Sequence, residues 1–207
     1  SAFLLAAQLL SLLVHPLMDQ SLAGRWLFGA VALVVVPLAL WVVGRSPLVN
    51  WIAWLLAVPA ILLTLAGVAS GQQDLLVASA LLEACLYFYA AGGLIVYMLR
   101  DHHVSNDELF AAGATFTLLA WGFAYAYYVC QAWYPGSFTG FEPDRPRRWL
   151  ELLFLSFTTL SGVGLGDVLP VGAQARALVM LEMLTGVGYL AMVVSRLIGL
   201  ATMRGAR

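Results

Sequence analysis

Ser156-Phe157-Thr158-Thr159-Leu160-Ser161-Gly162-Val163-Gly164-Leu165-Gly166-Asp167 lies between two long apolar segments. Gly162, Gly164 and Gly166 alternate with Val163 and Leu165. Irregular backbone in apolar surroundings is costly unless it lines water or ions. Glycine takes backbone angles that other residues avoid, so glycines at every second place let successive carbonyls turn to one side. Val163 and Leu165 then pack away from those carbonyls. The result is a column of oxygens able to replace the water shell of a cation. A plain glycine-rich loop is the rival reading of the glycines alone.

Working outward, the composition is that of a membrane protein. The chain has 207 residues, 62% hydrophobic and 10% charged, with a mean hydropathy of +0.91. A water-soluble domain carries roughly a quarter charged residues. A net charge of -1 speaks against nucleic acid as a partner, and every basic residue is Arg. Cys85 and Cys130 lie inside apolar runs, which predicts buried thiols rather than a disulfide framework. No His/Cys cluster suggests a metal, and no paired carboxylates or nucleophile with a base suggest an enzyme; no cofactor is implied. The first apolar run lacks a basic leader and a small-residue cleavage pattern, so it reads as a span rather than a signal peptide.

Six apolar runs are near the ~20 residues a helix needs to cross the hydrocarbon. They cover residues 3–18, 26–43, 48–68, 75–99, 109–133 and 173–201, with Pro59 a kink in the third. The piece Trp149–Leu160 is too short to span and fits a re-entrant helix leading into the glycine run. Pro146 is placed for its first turn, where a missing N–H costs nothing. Glu151 lies early in the helix, where negative charge complements the dipole. The residues 134–148, rich in Pro, Gly and charge, read as an exposed turret with solvated charges.

The stretch 156–167 resembles the selectivity filter of tetrameric potassium channels, usually S-F-T-T-L-T-T-V-G-Y-G-D, in nine of twelve positions. The resemblance, of bacterial type, covers about Asp107 to the end. It implies an all-α membrane protein of six transmembrane helices plus a re-entrant pore helix and filter loop, assembled as a homotetramer in the cell membrane. Residues 1–104 then form a four-helix N-terminal domain, and residues 105–207 the pore domain of outer helix, pore helix, filter and inner helix. The permeant K+ (or Na+) would bind the carbonyls of Gly162, Val163, Gly164 and Leu165, with Gly166 closing the filter and Asp167 at its mouth. Thr158, Thr159 and Ser161 would face the cavity or hydrogen-bond free carbonyls. The pore helix would aim its negative end at the axis, favouring a cation there.

The sixth run becomes the inner helix. Gly186 follows Gly166 at the spacing where the family keeps its hinge glycine, with Gly188 a second such point. These glycines either permit bending or let the pore helix approach closely. One face, Val187, Leu190 or Ala191, Val194 and Ile198, would line the cavity. Glu182, one turn before Gly186, is expected to hold the back of the pore helix through Thr158 or Thr159.

The sequence also departs from the family pattern. Gly162 replaces a Thr whose hydroxyl forms the innermost site, Leu165 replaces Tyr, and Phe154 stands where a Trp often clamps the filter Asp. These changes predict potassium permeation with weaker selectivity over sodium or a less stable filter. Voltage sensing by a helix of spaced arginines is excluded. Each such charge contributes ~2.3 kcal/mol per 100 mV, and the fourth run holds only Glu83. That acid reads as a protonated or hydrogen-bonded group packing the helices together.

Both termini are cytoplasmic if the filter faces outward. The arginines then divide five and five across the membrane, so the positive-inside rule gives no vote. Readings from other classes are a transporter subunit with a channel-like loop and a non-conducting membrane sensor. The stimulus for opening is not written in the sequence; His102-His103 offers a pH sensor or, more simply, a polar linker.

Overall fold

The computed structural model describes residues 2–18, 50–100, 106–142 and 145–205, with side chains over 2–13, 51–99, 109–142 and 145–196. Its described elements are α1 (Ala2–Met18), α2 (Asn50–Ser70), α3 (Gln73–Arg100), α4 (Asn106–Trp133), β1 (Phe138–Gly140), α5 (Trp149–Leu160), β2 (Val168–Pro170) and α6 (Ala173–Gly205). Among them α2, α3, α4 and α6 are long and apolar enough to cross a membrane, while α1 and α5 hold shorter apolar stretches. The expected run at 26–43, the turn after it and His102-His103 lie outside the described residues.

Small residues set how the long helices meet. Helix α3 turns Ala80, Ala84 and Ala91 inward, and α4 does the same with Ala111, Ala114, Ala120 and Ala124; all are buried. Without a strong hydrophobic drive between helices in lipid, such close backbone approach supplies the packing energy. Gly122 admits the Phe88 ring, whose edge lies 3.0 Å from where a Cβ would stand, and Phe88 meets Phe123 edge-on at 4.9 Å. Helices α2 and α3 form a hairpin through Gly71, which has φ +71° and donates its N–H to Gly67 O at 2.9 Å. Helix α1 packs on α4, with Leu5 seated against Gly113.

The chain is mostly helical, as expected, with one small addition. β1 and β2 pair antiparallel in the register Phe138↔Pro170, Thr139↔Leu169 and Gly140↔Val168. The Ser137 carbonyl also accepts the Val171 and Gly172 N–H groups, at 2.9 and 3.1 Å. This small clamp ties the end of α4 to the chain leaving the glycine run. Its anchor is Phe138, buried against Tyr127 with ring centroids 5.3 Å apart.

Two expectations are corrected. Cys85 is exposed on the single chain, and only Cys130 is buried. The charges of the 134–148 segment are not all solvated, because Arg147 is 2% exposed. Its guanidinium donates to the Glu142 and Arg145 carbonyls. Its backbone pairs with the Gln131 side chain, Nε2 to Arg147 O at 3.0 Å and Arg147 N–H to Oε1 at 2.6 Å. These two carbonyls replace water at Nη2, while Nε and Nη1 have no hydrogen-bond partner among the described residues.

Phe138→Ala is expected to destabilise the protein by about 3–5 kcal/mol, the range for emptying a buried aromatic site. Thermal unfolding in detergent measures it, and a variant as stable as the parent would show that the clamp carries no packing load.

Candidate functional site

Helix α5 begins at Trp149, so Arg148 is its N-cap and Pro146 lies before the helix rather than in its first turn as expected. Glu151 does sit in the first turn. Its carboxylate accepts the Arg148 backbone N–H at 2.7 Å and both Arg145 Nη groups at 2.8 Å. Burial pushes this carboxyl up, but the Arg145 and Arg148 hydrogen bonds and the nearby Arg145 and Arg147 charges outweigh it. Its pKa is held below the ordinary value. The paired carboxylates of Glu151 and Glu142 hold the Arg145 guanidinium further up. The start of α5 is thus fixed by an ion pair and a backbone cap together.

At its other end α5 passes directly into the glycine run. Ser161 N–H donates to Phe157 O, Gly162 N–H to Thr159 O and Gly164 N–H to Thr158 O, each at 3.1 Å. Gly162, Gly164 and Gly166 have φ of +75°, +59° and +80°, while Val163 and Leu165 stay out of the left-handed region. The backbone therefore alternates hand along the run. A Cβ at any of these glycines would meet nothing within 4 Å. Glycine is required here by the backbone angle, since left-handed geometry costs other residues roughly 1–2 kcal/mol, and not by crowding from the described residues of the same chain. Val163 and Leu165 are exposed on the single chain, as are Ser161 and Asp167.

The expected supporting residues fall into two groups. Thr158 and Thr159 are buried, and Thr158 Oγ1 donates back to Leu155 O at 2.9 Å. Ser161 Oγ donates to Thr158 O at 3.3 Å. These hydroxyls serve their own helix end. Glu182 is fully buried on α6 and does hold the back of α5, but through Ser156 rather than Thr158 or Thr159. Its second oxygen accepts the Tyr127 hydroxyl of α4, and Ser156 Oγ also reaches Ala120 O of α4 at 2.8 Å. One carboxyl thereby joins α4, α5 and α6. Residue types alone do not single out Tyr127 or Ser156 as its partners, though a buried acid demands some.

Gly186 lies one turn beyond Glu182 in the helix that runs unbroken from Ala173 to Gly205. A Cβ on it would stand 2.1 Å from the Leu160 carbonyl oxygen. Of its two expected uses, the structure displays close approach to α5. Gly188 has nothing within 4 Å of such a Cβ. Val187, Leu190, Ala191 and Val194 are exposed on the single chain along α6; Ile198 lies on the same helix, beyond the described side chains. Lower down, Tyr189 Oη donates to Ala112 O of α4 at 2.6 Å. Phe154 is part-exposed and lines a groove of about 890 Å³ with Leu12, Phe157, Leu169 and Asp167.

Residues 84–202, more than half of the chain, match the protein-family model described as "Ion channel". The matched span opens inside α3 and includes α4, α5, the glycine run and α6. No curated protein and no solved structure matches the chain.

Gly186→Ala is expected to force α6 from α5 and to cost about 1–3 kcal/mol per chain, whereas Gly188→Ala is tolerated by the single chain; thermal melts of both variants decide. Glu182→Ala leaves the Tyr127 hydroxyl without its acceptor, at about 1–3 kcal/mol for an unsatisfied group, and leaves Ser156 with Ala120 O alone, while Glu182→Gln keeps the shape and one acceptor oxygen and stays near the parent. Because the Glu151 pKa is lowered in the fold, its stabilisation is present above the ordinary carboxylate value. It is lost as the pH falls through the lowered one. Glu151→Gln should flatten that acid limb of the stability profile.

Proposed function

This chain belongs to the ion channel family, and on that premise we propose that it conducts potassium passively, with weak selectivity among monovalent cations. Four copies of the chain assemble in the cell membrane, with lipid around them and both termini cytoplasmic. Each copy contributes the carbonyls of Gly162, Val163, Gly164 and Leu165 to a shared filter, with Gly166 and Asp167 at the outer mouth. In this reading α4, α5 and α6 are the outer, pore and inner helices, and residues 105–207 form the pore domain. Residues 1–104, whose expected spans bring the total to six, form the domain beside it.

The observation that carries this reading is the alternation of backbone hand along the glycine run, placed directly after a short helix. Alternating hand turns successive carbonyls towards one side, and oxygens so grouped replace a cation's hydration shell. The exposure of Val163 and Leu165 and of the α6 face Val187–Leu190–Val194 is what a chain has when copies of itself cover it. The α5 dipole ends at the run, and four such ends favour a cation. Weak selectivity follows from Gly162. It brings no hydroxyl, and its φ of +75° is one that a threonine would adopt only with strain.

Purified protein in liposomes under a potassium gradient tests the reading. Barium-sensitive potassium flux is expected, with measurable sodium flux when sodium replaces potassium. No flux of either ion would end the proposal and leave the sensor or transporter-subunit alternatives. Sodium exclusion as strict as potassium passage would remove the role given to Gly162.

A further inference from the structure

A second buried carboxyl lies away from the glycine run. Glu83 of α3 is 5% exposed, among α2, α3 and α4. Its Oε1 is 3.2 Å from Thr64 Oγ1 of α2, and its Oε2 has no hydrogen-bond partner among the described residues. Thr64 Oγ1 is also 2.9 Å from Ala60 O and 3.0 Å from Ser79 Oγ, which in turn lies 3.2 Å from Leu76 O. The Tyr125 hydroxyl of α4 stands beside the same carboxyl, with Tyr87 one turn along α3.

Hydrogen counting shows two ways to complete this network. Thr64 has one hydroxyl hydrogen and cannot donate to both Ala60 O and Glu83. When Glu83 carries a proton, it donates to Thr64, Thr64 donates to Ala60 O, and Ser79 donates to Leu76 O. Every contact among Glu83 Oε1, Thr64, Ser79 and the two carbonyls is then made. When Glu83 is ionised, Thr64 must turn to it, Ser79 must turn to Thr64, and both carbonyl contacts are given up. The charge then stays buried beside the Tyr125 hydroxyl, with no cation opposite among the described residues. Among the described residues, the groups facing it are Tyr87 on α3, Tyr125 on α4 with Tyr128 beyond it, and the hydroxyls of Thr64 and Ser79; α2 brings no titratable group. A buried, unpaired charge is costly, so ionisation loosens the packing around it.

That packing leads to α5. Tyr87 and Tyr125 stack with centroids 5.6 Å apart, and Tyr87 meets Trp121 edge-on at 5.5 Å. Tyr125 and Trp121 then lie against Trp149 at 5.5 and 5.6 Å. Trp149 is the first residue of α5. An aromatic cluster thus runs from the turn beside Glu83 to the start of the helix that precedes the glycine run.

We propose that Glu83, with Thr64 and Ser79, forms a proton-binding site in the membrane domain whose occupancy, passed through the Tyr87–Tyr125–Trp149 cluster, sustains conduction. This rests on the channel reading above. The bound ligand is a hydrogen ion and the step is simple: Glu83 Oε1 gains or loses one proton. Protonation holds α2, α3 and α4 together and keeps α5 supported; deprotonation withdraws that support.

The test pairs two readouts on the full chain in liposomes, from mildly acidic to mildly alkaline pH. The first is potassium flux. The second is the infrared carboxylic-acid stretch, assigned to Glu83 by its absence in Glu83→Gln. Parent flux is expected to fall several-fold as that band disappears, while Glu83→Gln, a lasting mimic of the protonated form, conducts at a level independent of pH. A band that does not titrate, parent flux indifferent to pH, or an unchanged pH dependence in Glu83→Gln would each overturn the proposal. Flux that is merely indifferent to pH leaves the channel reading standing; absence of flux from parent and variant alike ends that reading and this regulation with it.

Discussion

A backbone that alternates hand cannot satisfy its own polar groups, and in apolar surroundings something else must meet them. Residues 162–166 are under that constraint, and the parts around them are placed to meet it. The last carbonyls of α5 take the N–H groups of Gly162 and Gly164. The β1–β2 clamp and Ser137 receive the chain as it leaves. With those two donors turned back into α5, carbonyls of the run are left for whatever occupies the space in front of them. In the proposed assembly that space belongs to the ion.

Holding such a run in place requires rigid neighbours. Here α5 is fixed at both ends by different chemistry. Its start is tied by Glu151 to Arg145 and to the Arg148 backbone, in a polar and partly exposed setting. Its far half is tied by Ser156 to the buried Glu182 and by the Leu160 carbonyl to Gly186. The first tie responds to the bulk solution. The second, shared with Tyr127, is shielded from it. Polar groups inside a membrane protein are retained where a partner and a role accompany them, and Glu182 has two other helices as partners.

Much of this was legible in the residues. The short apolar piece ended by Ser161-Gly162 emerged as the helix Trp149–Leu160, because a run too short to span has few other uses between long apolar segments. Left-handed turns at alternate glycines follow from the glycines themselves. Other features were hidden for physical reasons. Strands of three residues carry no usable alternation, so β1 and β2 gave no signal. Thr158 and Thr159 were natural partners for Glu182 by type. The face of α5 that meets α6, however, is set by helix rotation, and it presents Ser156 and Leu160. Arg147 read as solvated because it sits in a charged loop; the path of that loop, which brings the Glu142 and Arg145 carbonyls to its guanidinium, is not written in the residue types.

The spacing of the two contacts between α5 and α6 constrains how α6 moves. Ser156 and Leu160 are one turn apart on α5, and Glu182 and Gly186 are one turn apart on α6. The two helices therefore lie side by side with the same polarity and matched pitch, like two lengths of the same thread. Sliding by one residue would pull the serine from its acid and drive a side chain into the Leu160 carbonyl. Piston-like travel is thereby forbidden to the upper part of α6. Tyr189, bonded to Ala112 O, adds a third point of attachment just beyond, so residues 182–189 of α6 are keyed to both α4 and α5 like a rack held at three teeth.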